Sequence, residues 1–319
     1  MIRLLLRRIT FGVLVLWIVA TAVFVMYFVA PNNVARSLAG RNASAETVAL
    51  IQKRLELDLP LTAQYGHYLL RLAHGDLGES FLNWEPVINT IKLDLPVTAS
   101  LAIGGAVLWM LMGVGAGVIS ATRPRSIVDR AVTSVALLFY SIPNFLLGEI
   151  FLFFLFFRLS MARLWHFPPS GYVPLSEDPW QWAMHLFLPW MSIALVSAAT
   201  YARLTRGALL DVLGEDYVRT ARAKGITERR VTWRHGMRSA VGPVTTQFGI
   251  DFGSLLGGAV VTEKVFGLHG LGAEAVDSVM RQDLHVIMGI TLVGTAAVVV
   301  ANIVVDMLYA VIDPRVRPA

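Results

Sequence analysis

With 319 residues, 55% of them hydrophobic and only 15% charged, the chain lies far from soluble domains, in which about a quarter of residues carry charge. Its mean hydropathy of +0.61 and its long uncharged runs exclude one or two soluble domains. A net charge of +5 and a pI near 9.7 invite a nucleic-acid reading, but the basic residues sit beside apolar runs, where they set membrane orientation instead. The absence of cysteine removes disulfides and thiolate metal sites.

In chain order, Arg3, Arg7 and Arg8 precede an uncharged run of 22 residues, 9–30, enough to cross a hydrocarbon core of about 30 Å. The run is too long for a signal core and ends at Pro31-Asn32-Asn33 without a small-x-small cleavage site. Residues 1–30 are therefore read as a retained span with a cytoplasmic N-terminus. Residues 31–96 are polar with nearly balanced charge. Ser44 is placed to cap a helix running to Leu55, and a second helix covers Thr62 to about Ala73, closed by Gly75. Together they form an external subdomain too small to fold alone.

Residues 97–319 are expected to form a five-span core. Its spans are 97–122, where Gly113 and Gly117 permit close helix contact; 131–157, interrupted at Ser141-Ile142-Pro143-Asn144; 182–202, kinked near Pro189; 244–262; and 286–312. External loops cover 158–181 and 263–285. The segments assigned to the cytoplasm hold 17 of the 27 Lys and Arg residues, and six spans in all put both termini inside.

The long polar stretch 203–243 stands between apolar segments and holds nine of the basic residues. Within it, Glu215-Asp216-Tyr217-Val218-Arg219-Thr220-Ala221-Arg222-Ala223-Lys224-Gly225 predicts a short exposed helix. Acids at its start and bases toward its end suit the helix dipole, and Gly225 falls where a left-handed cap belongs. By charge alone, a basic loop that orients the chain fits this stretch better than a docking element does.

There is no G-x-x-x-x-G-K-[ST] loop for phosphate, no H-E-x-x-H and no G-x-S-x-G, so the chain reads as a conduit and not as a catalyst. Glu149, Asp251 and Asp306 lie within expected spans and need partners or water. Asp306, near the cytoplasmic end, reads as paired or snorkelling. Asp251, with Gln247 one turn away, is evenly balanced between a helix contact and a polar path. Asn144 beside Pro143 reads first as a proline kink, and second as backbone opened toward a cavity.

Tyr217-Val218-Arg219-Thr220-Ala221-Arg222-Ala223-Lys224-Gly225, then Glu228-Arg229-Arg230-Val231, His235-Gly236-Met237-Arg238-Ser239-Ala240 and Pro243, closely resembles the cytoplasmic "EAA" loop of ABC-importer permeases of the dipeptide/oligopeptide/nickel branch. Gly75-Asp76-Leu77-Gly78-Glu79-Ser80-Phe81 resembles that branch's G-D-L-G-x-S motif. The run Gly257 to Phe266 with Gly270-Leu271-Gly272 is similar to its fifth-span exit, and Asn302 to Arg315 to its C-terminal signature. The resemblance implies the first, "B"-type subunit: an all-α, six-span permease of the type I importer fold in the bacterial inner membrane. It implies a second homologous permease, two cytoplasmic ATPase subunits (or a fused pair) that hold ATP and Mg, and an external binding protein. No cofactor is expected in this chain.

On that reading Glu215 to Gly225 is the coupling helix, with Arg219, Arg222 and Lys224 pairing with acids on an ATPase. A bulky residue at Gly225 is expected to abolish transport while leaving insertion intact. Asn144, Glu149, Gln247 and Asp251 are the candidates for the translocation path. Two departures stand out: Arg219-Thr220-Ala221 replaces Glu-Ala-Ala, and Glu149 is an acid where an apolar residue is expected. Ala30-Pro31-Asn32-Asn33 also lacks the branch's Gly-Asp. Peptides are the leading substrate and nickel chelates the alternative. A stand-alone secondary transporter would show paired repeats, and none is evident.

Overall fold

A computed structural model describes residues 2–29, 35–36, 44–54, 56–163, 167–168 and 170–312. Pro31-Asn32-Asn33, Leu55 and the terminal Asp313-Pro314-Arg315 fall outside the described residues. Those described are mostly helical, joined by turns and short irregular segments, and their one β-type contact is an isolated bridge between Glu79 and Pro86.

Helix α1, Ile2–Phe24, continues through a π-helical turn to Val29. Ser44 caps α2, Ala45–Arg54, by accepting from the Thr47 amide at 3.2 Å. Helix α3, Leu61–Ala73, ends on Gly75 at φ 77°. Tyr68 of α3 is buried with Ala20, Val23 and Phe24 of α1 and with Met288 and Leu292 of the last helix. These small helices thus borrow their core from the long ones.

Helix α4, Val87–Thr122, is 36 residues long, about 54 Å at the helical rise and well beyond a bilayer core. It starts ten residues before the expected span, so the division at residue 96 falls inside a helix. Helix α5, Ile127–Ser141, is separated from α6, Asn144–Phe151, by Ile142 and Pro143, at the expected interruption. Helix α7, Pro179–Leu213, is capped by Asp178 and carries Pro189 inside. It runs eleven residues past the expected end of its span, so the first part of the polar stretch is helix, with Thr205 and Leu209 fully buried.

The rest comprises α8, Asp216–Ala223; α9, Met237–Leu256, entered through a π-helical turn from Val231; α10, Val260–Val265; α11, Leu271–Arg281; and α12, Leu284–Ile312. The expected external loop 263–285 is therefore largely two helices.

Among the described residues, five helices are long and apolar enough to cross a membrane: Leu5–Tyr27, Val87–Thr122, Asn144–Met161, Pro179–Leu213 and Leu284–Met307. The expected span at 244–262 is not among them. Its helix is broken at Gly257-Gly258, where Gly258 has φ 127°, and α9 is diluted by Arg238, Thr245, Thr246, Gln247 and Asp251.

The centre of the bundle is α4 against α7. Trp109, Leu101, Leu186 and Tyr201 are completely buried there. The backbones approach closely because α4 presents glycine: a Cβ on Gly113 would lie 2.9 Å from the Ala198 carbonyl oxygen, and one on Gly117 would lie 2.7 Å from that of Ala202.

Candidate functional site

Helix α8 hangs between α7 and α9 on the polar stretch. Asp216 in its first turn and Arg222 in its last oppose the helix dipole. Its inner face is Val218 and Ala221, buried against Val231 with Val212, Leu213 and Ile226 alongside. The Gly225 amide bonds to the Arg222 carbonyl at 2.9 Å and the Ile226 amide to that of Ala221 at 3.3 Å, with Gly225 at φ 74°. This is a Schellman cap with its hydrophobic contact, placed where the sequence expects it.

The outer face carries Glu215, Asp216, Tyr217, Arg219, Thr220 and Lys224, all exposed. Arg219 meets Asp216 at only 3.4 Å with both side chains open to solvent, a contact that contributes little. The Lys224 side chain makes no hydrogen bond or ion pair among the described residues, and its exposed ammonium stands open to solvent. Arg222 differs from expectation: it is held within the chain, bonding Glu228 at 2.8 and 3.3 Å and the Leu213 carbonyl at 3.3 Å. It fastens the turn to the end of α7, which leaves Arg219 and Lys224 as the basic residues open to a partner. The Tyr217 hydroxyl lies 3.1 Å from Ser239 Oγ of α9. A displacement of α8 therefore pulls on both α7 and α9.

A Cβ on Gly225 would meet nothing within 4 Å, so the constraint there is backbone conformation and not space. An L-residue at this φ costs about 1 kcal/mol or more, least for asparagine. Gly225→Asn is expected to retain most transport and Gly225→Val to lose most of it at equal membrane levels. Uptake normalised to inserted protein checks the order, and equal loss in both variants would point to lost contacts and not to φ.

Above α8, three helices are tied at one carboxylate. Asp129 of α5 accepts Arg206 Nε at 2.7 Å and Nη2 at 2.9 Å from α7, the Ser120 hydroxyl from α4, and the Arg125 amide at 2.8 Å. Arg206 and then Ser120 hold the Asp129 carboxyl well below the usual carboxylate range. Because the folded value is depressed, this stabilisation is complete above the unfolded value near 4 and disappears as pH falls through the lower folded one. Asp129→Asn should melt below wild type by a constant margin from pH 8 to 5, and the margin should narrow as the pH is lowered below about 4. A margin that grows on acidification would contradict the assignment. Asp129 carries no local signal in the sequence, because its partners Ser120 and Arg206 lie 9 and 77 residues away.

Of the four path candidates, Gln247 and Asp251 come together. Asp251 accepts from Gln247 Nε2 at 2.9 Å and from the Tyr201 hydroxyl of α7 at 3.0 Å, beside the ring cluster of Trp109 and Phe248. Asn144 turns instead to Thr262, donating to its hydroxyl at 2.9 Å. Glu149 is exposed on the outside of α6 with no partner among the described residues. Asp306 pairs with Arg8 of α1 at 2.9 Å.

The glycine-rich exit motif surrounds Glu263, which is completely buried. Its carboxylate accepts the Thr98 hydroxyl of α4 at 2.7 Å and the Ala273 amide at 2.7 Å, while the Leu271 amide donates to Thr98 Oγ1 at 2.8 Å. Glu263 and Thr98 together satisfy the open amides at the start of α11. A Cβ on Gly270 would lie 2.6 Å from this carboxyl, and one on Gly258 would lie 2.9 Å from Gly272 Cα. Burial pushes the Glu263 carboxyl up, and the Thr98 and backbone hydrogen bonds oppose that. The G-D-L-G-x-S motif is a second clasp: the Ser80 hydroxyl and the Phe81 amide, the latter at 3.1 Å, both donate to Asp283 at the head of α12.

Long apolar helices packed through glycine, with a short polar helix slung between two of them, have the length and composition of a bundle of membrane spans. The chain belongs to the family of binding-protein-dependent transport system inner membrane components, whose model matches residues 113–318; the model of that group's N-terminal region matches residues 1–102. It is 40% identical over 317 residues to a Brucella abortus protein that bears the name of a peptide transport system permease, covering 99% of both chains. It is 38% identical over 302 residues to the glutathione transport system permease protein of Escherichia coli K12, covering 95% of this chain and 94% of that one. The fold resembles a chain of the MetNI methionine ABC transporter in its inward-facing conformation, with a TM-score of 0.55 at 17% identity over 70% of this chain and 96% of the other. The chain is thus an ABC-importer permease of the peptide/nickel branch with the type I fold, a non-catalytic subunit of the inner membrane. Its family works with ATPases and a substrate-binding protein.

Proposed function

We propose that the chain forms half of the translocation pathway of an ATP-driven importer of small peptides. A second, homologous permease supplies the other half, and two ATPase subunits or one fused pair bind ATP and Mg. The observation that carries the peptide assignment is end-to-end similarity, at 40% identity, to a relative named for peptide transport; glutathione, named for another relative, is itself a tripeptide. In this reading both termini are cytoplasmic and α9 is the fifth of six spans. Packing against α12, where its Gly249 and Gly253 face Asn302, Val305 and Val298, offsets its modest hydropathy.

Helix α8 is the coupling helix, with Glu215, Asp216, Tyr217, Arg219, Thr220 and Lys224 toward the ATPase and Val218 and Ala221 toward the spans. Closure of the ATPases on ATP shifts α8. Because α8 is fastened to α7 by Arg222 and the Val218 cluster, and to α9 by Tyr217, the α7–α9 interface moves with it. The Tyr201–Asp251–Gln247 cluster lies in that interface and is the chain's candidate contact for the ammonium end of a peptide, since an anionic carboxylate in a low-dielectric span is matched best by a cation.

The test is uptake of labelled di- and tripeptides into liposomes holding the complete transporter. Uptake is expected to require both ATP and the binding protein, and unlabelled peptide should compete while a nickel chelate does not. Competition by the nickel chelate alone would reassign the substrate.

A further inference from the structure

Beside the coupling helix lies an open groove of about 730 Å³, walled by Val118, Ile119 and Ala121 from the end of α4 and by Leu210 and Leu213 from the end of α7. It adjoins a second cleft of about 400 Å³ formed by Thr227, Arg229, Arg230, Trp233 and Arg234, and Arg229 and Trp233 line both. The four residues Arg229, Arg230, Trp233 and Arg234 fall on one helical face at spacings of one, four and five. All are exposed, Trp233 to 55%. None of the three arginine side chains makes a hydrogen bond or ion pair among the described residues, and the nearest acid in sequence, Glu228, is paired with Arg222.

The groove is therefore two-sided. One wall is apolar and continuous with helices long enough to span the bilayer; the other carries the paired Arg222 and Glu228 and then Arg229 and Trp233, beyond which the adjoining cleft adds Arg230 and Arg234, so that three guanidinium groups without a side-chain acid partner lie beside an aromatic ring of the kind that settles at membrane interfaces. An acidic protein surface would match the arginines and leave the apolar wall uncovered. An amphipathic anion matches both, and fork-shaped guanidinium donors suit phosphate oxygens. We propose that this groove binds an anionic phospholipid of the adjacent leaflet, with its phosphate on Arg229, Arg230 and Arg234 and its acyl chain along the wall of Val118, Ile119 and Leu210. The site rests on the membrane reading and is independent of the peptide assignment. Bound lipid would brace the turn that joins α8 to α9.

The full-length chain, assembled with its transporter partners in nanodiscs of mixed phosphatidylcholine and phosphatidylglycerol, is released into the gas phase, and retained lipid is counted by native mass spectrometry. Wild type is expected to keep phosphatidylglycerol in preference to phosphatidylcholine. The combined change Arg229→Gln, Arg230→Gln and Arg234→Gln should cut that preference about tenfold or more, since each basic side chain near an anionic headgroup contributes severalfold. Arg158→Gln with Arg163→Gln, outside the groove and away from the coupling helix, should leave it unchanged. Should the triple variant fail to assemble, Arg230→Gln alone is expected to lower the preference severalfold. Equal retention of the two lipids by wild type, or an equal loss in the Arg158/Arg163 variant, overturns the site. Displacement of the lipid by inorganic phosphate would make it a simple anion site and also overturn the proposal. Release of the ATPases from the triple variant with retained lipid unchanged would assign the arginines to the protein partner instead.

Discussion

Gly117→Leu is expected to prevent stable assembly of the bundle. A side chain there begins 2.6 Å from the Thr205 Cβ and 2.7 Å from the Ala202 carbonyl oxygen, and a backbone atom cannot move aside as a side-chain tip can. Helices α4 and α7 would have to separate along their length, opening the interface that buries Trp109 and Tyr201. Overpacking of this kind costs about 3 kcal/mol or more, a large part of the stability of most folds. Gly115, two residues earlier on the same helix, has nothing within 4 Å of its would-be Cβ, so Gly115→Leu serves as the control. Size-exclusion profiles of detergent-extracted protein should show Gly115→Leu as wild type and Gly117→Leu as aggregated or absent. Matching profiles for the two would contradict the packing.

The second large effect is expected at Glu263. Glu263→Ala removes the acceptor for the Ala273 amide and the Thr98 hydroxyl, both in buried surroundings, and each unsatisfied group costs about 1–3 kcal/mol. Glu263→Gln keeps the shape and one acceptor but points an NH₂ group at one of the two donors, so it should fall between wild type and alanine. Thermal unfolding in detergent should give wild type above glutamine above alanine, with a total loss of about 3 kcal/mol or more. The exit glycines make the site intolerant of any enlargement: Gly270 and Gly272 both abut the carboxyl. An alanine variant as stable as wild type would mean that the carboxylate caps nothing.

Helix α8 was legible in the sequence because its signals are local. Acids at one end, bases at the other and a glycine at the left-handed position all lie within eleven residues, and the structure ends the helix on that glycine. The break before Asn144 was legible for the same reason, through Pro143. The long helices were harder. Arg203 and Arg206 end the apolar run of α7 but not its periodicity, and Thr205 and Leu209 remain buried beyond them. Lys92, Asp94 and Pro96 likewise conceal the first two turns of α4. The expected fifth span illustrates the limit of hydropathy: α9 sits against α12 and α7, and its polar residues face protein partners such as Tyr201.

What the sequence did not reveal are contacts made across long separations. Glu263 meets Thr98 at a distance of 165 residues in sequence and Ser80 meets Asp283 at 203, so the exit motif and the G-D-L-G-x-S motif could be named while their roles as clasps stayed hidden. The same holds for Arg222. Its charge suggested a partner outside the chain, and only folding brings Glu228 and the Leu213 carbonyl around it.

In the proposed function α8 seats on an ATPase and moves the spans with it. The chain has no cysteine, so single cysteines report without background. Ala223→Cys lies on the exposed side of α8, and Arg163→Cys lies on the far side of α6 in the proposed topology. In the assembled transporter, a short bifunctional crosslinker should join Ala223→Cys to an ATPase subunit, with a yield that changes between ATP-bound and nucleotide-free states, and Arg163→Cys should give no such product. Absence of an ATPase crosslink from Ala223→Cys, in a complex that still hydrolyses ATP and imports peptide, would contradict the assignment of α8 as the coupling helix.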